Sequence, residues 1–161
     1  MRHIRFPSSI AAAGLALAVL ASPAGGQTGG FPTISARSFA GGSAKVTVSG
    51  SVAIDQEVAI NTKASVGDGE MTWLQFGVSG AEAPNALITY GDGEVGITVG
   101  KGKFLATAGI VPGEAPGCSG TVQVTGASVT GHYTCAGVVS HDGATGKMGK
   151  VNIEIRFTAK S

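Results

Sequence analysis

Charge is scarce in this sequence. Lys and Arg number 11 and Asp and Glu 10 among 161 residues, with no block of one sign, so the electrostatic footprint of a nucleic-acid or anionic-lipid binder is missing. Metal-binding spacing is missing too. There is no Cys-x-x-Cys and no His-x-His, whereas zinc and copper sites require three or more convergent ligands. A Gly-x-Ser-x-Gly nucleophile elbow is likewise absent, which removes the local signature of an α/β-hydrolase. The longest apolar run, Ile10 to Ala21, has twelve residues, short of the roughly 20 that a membrane-spanning helix needs.

That short run does fit another purpose. It follows the basic stretch Met1 to Arg5 and precedes small residues at Ala24 to Gly26, the order of a secretory signal peptide. Residues 1–26 are therefore expected to be a cleaved signal, 27–34 a flexible Gly-rich tail, and 35–161 a single domain. Loss of Arg2 and Arg5 leaves 9 basic against 10 acidic side chains, a formal charge of −1.

Only two cysteines occur, and they sit symmetrically about Gly126-Ala127. A glycine-first two-residue turn there aligns Thr125 with Ser128, Val124 with Val129, Val122 with Gly131, Gly120 with Tyr133 and Cys118 with Cys135. The cysteines fall at a non-hydrogen-bonded position, where side chains approach most closely. A Cys118–Cys135 disulfide is expected, and with it a periplasmic or extracellular location.

Gly is 27 of 161 residues, and Val, Ile and Thr alternate with polar residues in short runs, the usage of an all-β fold rich in turns. Ser43 to Ile54 and Glu57 to Val66 each read as a half-buried strand. Asp68-Gly69 is expected to pair Val66 with Met71 and Ala64 with Trp73. After it the phase breaks, because Met71 and Trp73 share one parity and Leu74, Phe76 and Val78 the other; either the strand is buried on both faces or, the favoured reading, a β-bulge near Trp73-Leu74 shifts the register. Asp92-Gly93 aligns Tyr90 with Val95 and Ile88 with Ile97, and Lys101-Gly102 aligns Val99 with Phe104. Lys150 to Lys160 forms the last strand, with Cys135 opposite Val151, Tyr133 opposite Ile153 and Val129 opposite Phe157. Roughly eight to ten antiparallel strands result, arranged as a single-domain β-sandwich or, alternatively, a flattened β-barrel.

The outer face of the cysteine hairpin is polar throughout, and Thr121, Gln123, Thr130 and His132 on it form a candidate contact surface. Other chemistry-bearing groups have ordinary readings. Asp68, Glu70, Asp92 and Glu94 in the two Gly-Asp-Gly-Glu turns would make a calcium site only if both turns met at one end. His141 and Asp142 lie in a turn-rich loop, and Asp55 and Glu57 flank a turn. Trp73, Tyr90, Tyr133 and Phe157 share parity with the aliphatic core, while Lys101, Lys103, Lys147 and Lys150 read as gatekeeping charges at strand ends. Gly131-His132-Tyr133 followed by Gly137 and the terminal Val151 to Ile155 resembles secreted bacterial antigens of the mycobacterial 19 kDa lipoprotein type. The lipid-bearing cysteine of that family is absent here, so no function or residue is carried over.

These readings converge on an exported bacterial, non-catalytic β-domain that acts by protein–protein association, as a surface or matrix component or as a periplasmic accessory subunit of a membrane assembly. No cofactor, nucleic acid or membrane span is expected. A barrel binding an apolar or pigment-like small molecule is the alternative, and a hydrolase or metalloenzyme the third reading.

Overall fold

A stretch of alternating apolar and polar residues can bury its apolar half in one regular way, as a strand lying on a core. The computed structural model describes residues 34–91, 93–110 and 117–161; the expected signal peptide and residues 27–33 of the tail lie outside the described residues. Among the described residues the strands are β1 (Arg37–Ser38), β2 (Gly41–Gly50), β3 (Ile54–Ala59), β4 (Val66–Gly67), β5 (Thr72–Phe76), β6 (Asn85–Gly91), β7 (Glu94–Lys101), β8 (Phe104–Ile110), β9 (Cys118–Thr125), β10 (Ser128–Asp142) and β11 (Lys147–Lys160).

All these strands belong to one antiparallel sheet, ordered β1-β4-β5-β6-β7-β8-β10-β11-β2-β3, with β9 paired to β10. The sheet curls until regions near its two ends meet. Asn61 N donates to Gln75 O at 2.7 Å and Gly77 N to Ala59 O at 2.9 Å, with Ile60 bridging Phe76 between them. The result is an all-β half-barrel, nearer to the flattened barrel than to two separate sheets. Ile34 and Phe39, ahead of the first long strand, are both buried in its core.

The cysteine hairpin has the register expected from its symmetry, pair for pair from Thr125–Ser128 to Cys118–Cys135, and the disulfide is formed. On the long strands the inward faces agree with expectation while several registers are displaced by two residues; Val66 and Trp73 instead lie outside the core. Val66 pairs with Trp73 instead of Met71. The cause lies in Asp68, whose Oδ1 accepts from Glu70 N at 3.0 Å and Met71 N at 2.7 Å, stabilising a four-residue loop by side-chain mimicry of a backbone turn. Val99 pairs with Ala106 instead of Phe104, because the loop is Gly102-Lys103 and Lys101 already pairs with Phe104. Gly102 takes the first turn position with φ +58°, just as Gly126 does with φ +35°.

On the last strand Cys135 faces Ile153, Tyr133 faces Ile155 and Val129 faces Ala159, not Val151, Ile153 and Phe157. A bulge between Cys135 and Val138 adds one residue to β10. Gly137 N donates from the bulge to Asn152 Oδ1 at 2.9 Å.

Two strand readings are also corrected. Ser43 to Ile54 is not one strand, because the chain reverses after Gly50 and pairs Val48 with Ile54; alternating Val and Ile on both sides of the reversal concealed it. Glu57 to Val66 is divided in the same way between β3 and β4. The bulge near Trp73 does not exist. β5 pairs regularly with β4 and β6, burying Thr72, Leu74 and Phe76 and leaving Trp73 half-buried on the opposite face.

Tyr133 is central to the interior. Its ring lies 6.3 Å from Phe157 in a stacked pair and 6.4 Å from Tyr90, and Phe76 lies 5.8 Å from Phe157. Two glycines leave room for these rings. A Cβ on Gly120 would run into the Tyr133 ring, and one on Gly131 into Phe157, so bare backbone on β9 and β10 is capped by aromatic faces. The Tyr90 and Tyr133 hydroxyls are buried and interact with one another.

The disulfide closes a loop whose ends are 17 residues apart, which corresponds to about 3 kcal/mol of chain-entropy stabilisation. Chemical denaturation of the Cys118→Ser/Cys135→Ser chain should show a loss of that order, and native protein should titrate no free thiol. Burial pushes the Tyr133 hydroxyl up to about 12, and burial followed by the neighbouring Tyr133 pushes Tyr90 well above 10. Both tyrosines hold their protons more tightly when folded, so their stabilising contribution is complete below the ordinary tyrosine range and lost as pH rises through the raised values. These are the only tyrosines in the chain. Tyrosinate absorbance should stay flat through the ordinary range in native protein and rise abruptly at alkaline unfolding, whereas the denatured chain should titrate at about 10.

Candidate functional site

Five strands, β9, β10, β11, β2 and β3, lie side by side, and their outward positions line up in rows. One row runs Thr121, His132, Arg156, Lys45, Glu57. Beside it lie Gln123, Thr130, Thr158 and Ser43, and on the other flank Ser119, Thr134, Glu154, Thr47 and Asp55. Side chains two apart along each strand face the same way, so the alternation that fills the core with Val, Ile, Tyr and Phe also makes this outer face uniformly polar.

Arg156 and Lys45 stand directly opposite one another, an arrangement unfavourable for like charges. Each is offset by a carboxylate on a neighbouring row. Glu154 Oε1 accepts from Arg156 Nε at 2.9 Å, is 2.7 Å from Nη2, and lies 3.0 Å from His132 Nε2. Lys45 Nζ is 2.6 Å from Asp55 Oδ1. Ser43 Oγ donates to Glu57 Oε1 at 2.7 Å. The Arg156 guanidinium first, and then His132, hold the Glu154 carboxyl below the usual carboxylate range; Lys45 does the same for Asp55. These pairs are well exposed, so their effect is orientation of the side chains more than stability.

An open groove of about 740 Å³ follows this face. All four side chains singled out on the hairpin, Thr121, Gln123, Thr130 and His132, line it together with Lys45, Glu57 and Arg156. A smaller depression of about 280 Å³ lies on the same face near the disulfide, between Thr47, Ser49, Thr134 and Asn152. The contributions of β11, β2 and β3 could not be found from the hairpin alone. The outward parity of Lys45 and Arg156 is legible in the sequence, but the adjacency of their strands is not.

The remaining candidates do not join this surface as a reacting centre. His141 and Asp142 end β10, nine and ten residues beyond His132. Asp142 closes the next turn by accepting from Ala144 N at 2.9 Å and Thr145 Oγ1 at 2.7 Å. Asp55 and Glu57 lie within β3 and do not flank a turn; each is held by a different partner on β2. Asp92, needed for a calcium site shared between the Asp-Gly turns, lies outside the described residues, and the Asp68 carboxylate is engaged by backbone amides. Among the described residues, no group of three or more His, Cys, Asp or Glu is placed to hold a metal ion.

Tyr90, Tyr133 and Phe157 are core residues as expected, but Trp73 is not. Lys101 and Lys147 stand at strand ends and Lys103 in a turn. The disulfide belongs to an oxidising, non-cytoplasmic environment, and no helix among the described residues is long and apolar enough to cross a membrane. No protein-family model, curated protein or solved structure matches this chain.

Glu154 offers a test of the electrostatics. Its folded pKa is depressed, so its contribution is present above the ordinary carboxylate pKa and lost as pH falls through the folded value. Glu154→Gln should melt below the unaltered chain at neutral pH and low salt. The gap should close on acidification below the carboxylate range, and in high salt. A gap independent of both pH and salt would show that packing, not charge, is responsible.

Proposed function

We propose that this chain is an exported bacterial, non-catalytic binding module that associates with another protein through the polar face of β9, β10, β11, β2 and β3. It would serve as a surface or matrix component or as a periplasmic accessory subunit of a membrane assembly. The observation that carries this reading is the continuity of the face: Thr121 and His132 on the hairpin extend through Arg156 and Lys45 to Glu57 in one row along an open groove. Hydroxyls, an amide and fixed charges of both signs favour a partner that brings hydrogen-bonding groups and complementary charges. The signal-peptide pattern at residues 1–26 and the disulfide support export.

Rigidity supports the same reading. The hairpin that presents Thr121, Gln123, Thr130 and His132 is fixed by the disulfide at one end and by Tyr133 and Phe157 beneath it, so the face is preorganised and loses little entropy on binding.

Affinity capture from the native cell envelope with the tagged mature chain tests the proposal. A specific partner should be retained, and His132→Ala/Arg156→Ala should weaken its retention at least tenfold, about 1.4 kcal/mol, without changing the melting temperature by more than a few degrees. Equal retention by the variant, or recovery of the chain free of any other protein from every fraction, would refute it.

A further inference from the structure

Large hydrophobic side chains left in solvent are informative where they gather. Among the described residues five are exposed, Val66, Val78, Leu105, Val139 and Met148, and three of them stand together. Leu105 on β8 faces His141 on β10, and His141 faces Met148 on β11. Val139, two residues before His141 and on the same face, lies opposite Lys150. Leu105 is 49% exposed, Val139 55% and Met148 65%. They project from the outer, convex side of the curled sheet, near the end where β8, β10 and β11 turn.

Lysines surround this corner. The last row of the sheet here runs Lys101, Phe104, Asp142, Lys147 across β7, β8, β10 and β11. Gly143 N donates to Lys103 O at 2.9 Å, which ties the turn carrying Lys103 to the turn before Lys147. Against Lys101, Lys103, Lys147 and Lys150 stand two carboxylates. Asp142 is engaged by Ala144 N and Thr145 Oγ1, and Glu82 lies beside Gly102. None of the four lysines is in an ion pair among the described residues, so the corner keeps a net positive charge. The sequence holds no basic block because these lysines come from two distant segments, which the pairing of β8 with β10 brings together. Gly91 and Ile110, where the described chain breaks off, end β6 and β8 away from this corner. Arg37, near the start of the described chain, bonds Gly126 O at 2.7 Å, beside the opposite end of β10.

We propose that this corner docks the mature chain onto a lipid surface that carries anionic headgroups. Leu105, Val139 and Met148 enter the boundary between headgroups and acyl chains. The lysine stems lie along the apolar surface while their ammonium groups meet the headgroup phosphates. Unpaired positive charge around an apolar centre is complementary to a surface that is negative outside and apolar beneath. A protein contact is the poorer match, because such contacts centre on Trp, Tyr and Arg anchors, and this corner has none. Binding through so few groups is reversible and weakens with salt. The inference goes beyond the association proposed above and does not depend on it: His141 lies nine residues along β10 from His132, so the groove stays open when the corner is docked.

Co-sedimentation of the oxidised mature chain with lipid vesicles at low salt tests this. Phosphatidylglycerol-rich vesicles should retain the chain, and pure phosphatidylcholine vesicles should bind it at least tenfold more weakly. Lys101→Gln/Lys147→Gln and, separately, Leu105→Ser/Met148→Ser should each weaken binding to the anionic vesicles at least tenfold. All four side chains are exposed, and matched melting curves will show that both variants fold. Equal binding to neutral and anionic vesicles, binding to neither, or undiminished binding by either variant would overturn the proposal. Loss of envelope capture by Leu105→Ser/Met148→Ser, with no vesicle binding by the unaltered chain, would overturn it in favour of a protein partner at this corner. His132→Ala/Arg156→Ala should bind the anionic vesicles as the unaltered chain does, which separates this inference from the preceding one.

Discussion

The pairing of β10 with its neighbours is the constraint on which the rest of the sheet depends. One edge of this fifteen-residue strand is occupied by β11, and the other is divided: β9 pairs along Ser128 to Cys135 and β8 along Ser140 to Asp142. The bulge after Cys135 separates the two halves. A bulge adds twist and bend to its strand, and here it falls where that edge of β10 passes from β9 to β8. The disulfide sits at this junction, so it ties β9 to the strand where the sheet changes course.

From that junction the two faces acquire different roles. Inward, Tyr133 stacks on Phe157 and reaches Tyr90, and Gly120 and Gly131 give those rings space against the backbone. Outward, the intervening residues are Thr121, Gln123, Thr130 and His132, extended by Arg156, Lys45 and Glu57. The same period-two geometry produces both, so a substitution that shifts register by one residue would destroy core and groove together. Stiffness beneath and hydrogen-bonding groups above are what a recognition surface requires, and they support an associating module.

Much of this was legible in the residues. Inward and outward assignments held for Val46, Val48, Ile88, Ile97, Val122, Tyr133, Ile153 and Phe157, because burial enforces parity and parity is written directly in an alternating sequence. Register failures share one size. At Gly102 and at Cys135 the register was displaced by two residues, a shift that returns every side chain to the same face and leaves the hydrophobic pattern unchanged; at Asp68 a shift of the same size came with Ser65 and Gly67, not Val66, facing inward. Trp73 failed differently: its hydrophobicity argued for the core, but Leu74 and Phe76 had already taken the inward parity of β5.

Local alternation and a symmetric turn were enough for the all-β class, the inward face of the long strands, the cysteine pairing and the polarity of the hairpin surface. Tertiary structure decided the remaining features. Loop hydrogen bonds from Asp68 and the bulge beside Asn152 chose among registers that alternation cannot distinguish. Packing of the curled sheet set β2, far away in sequence, beside β11, and so brought Lys45 and Arg156 into line with His132. Strand adjacency depends on contacts between distant segments, which a local pattern of period two does not encode.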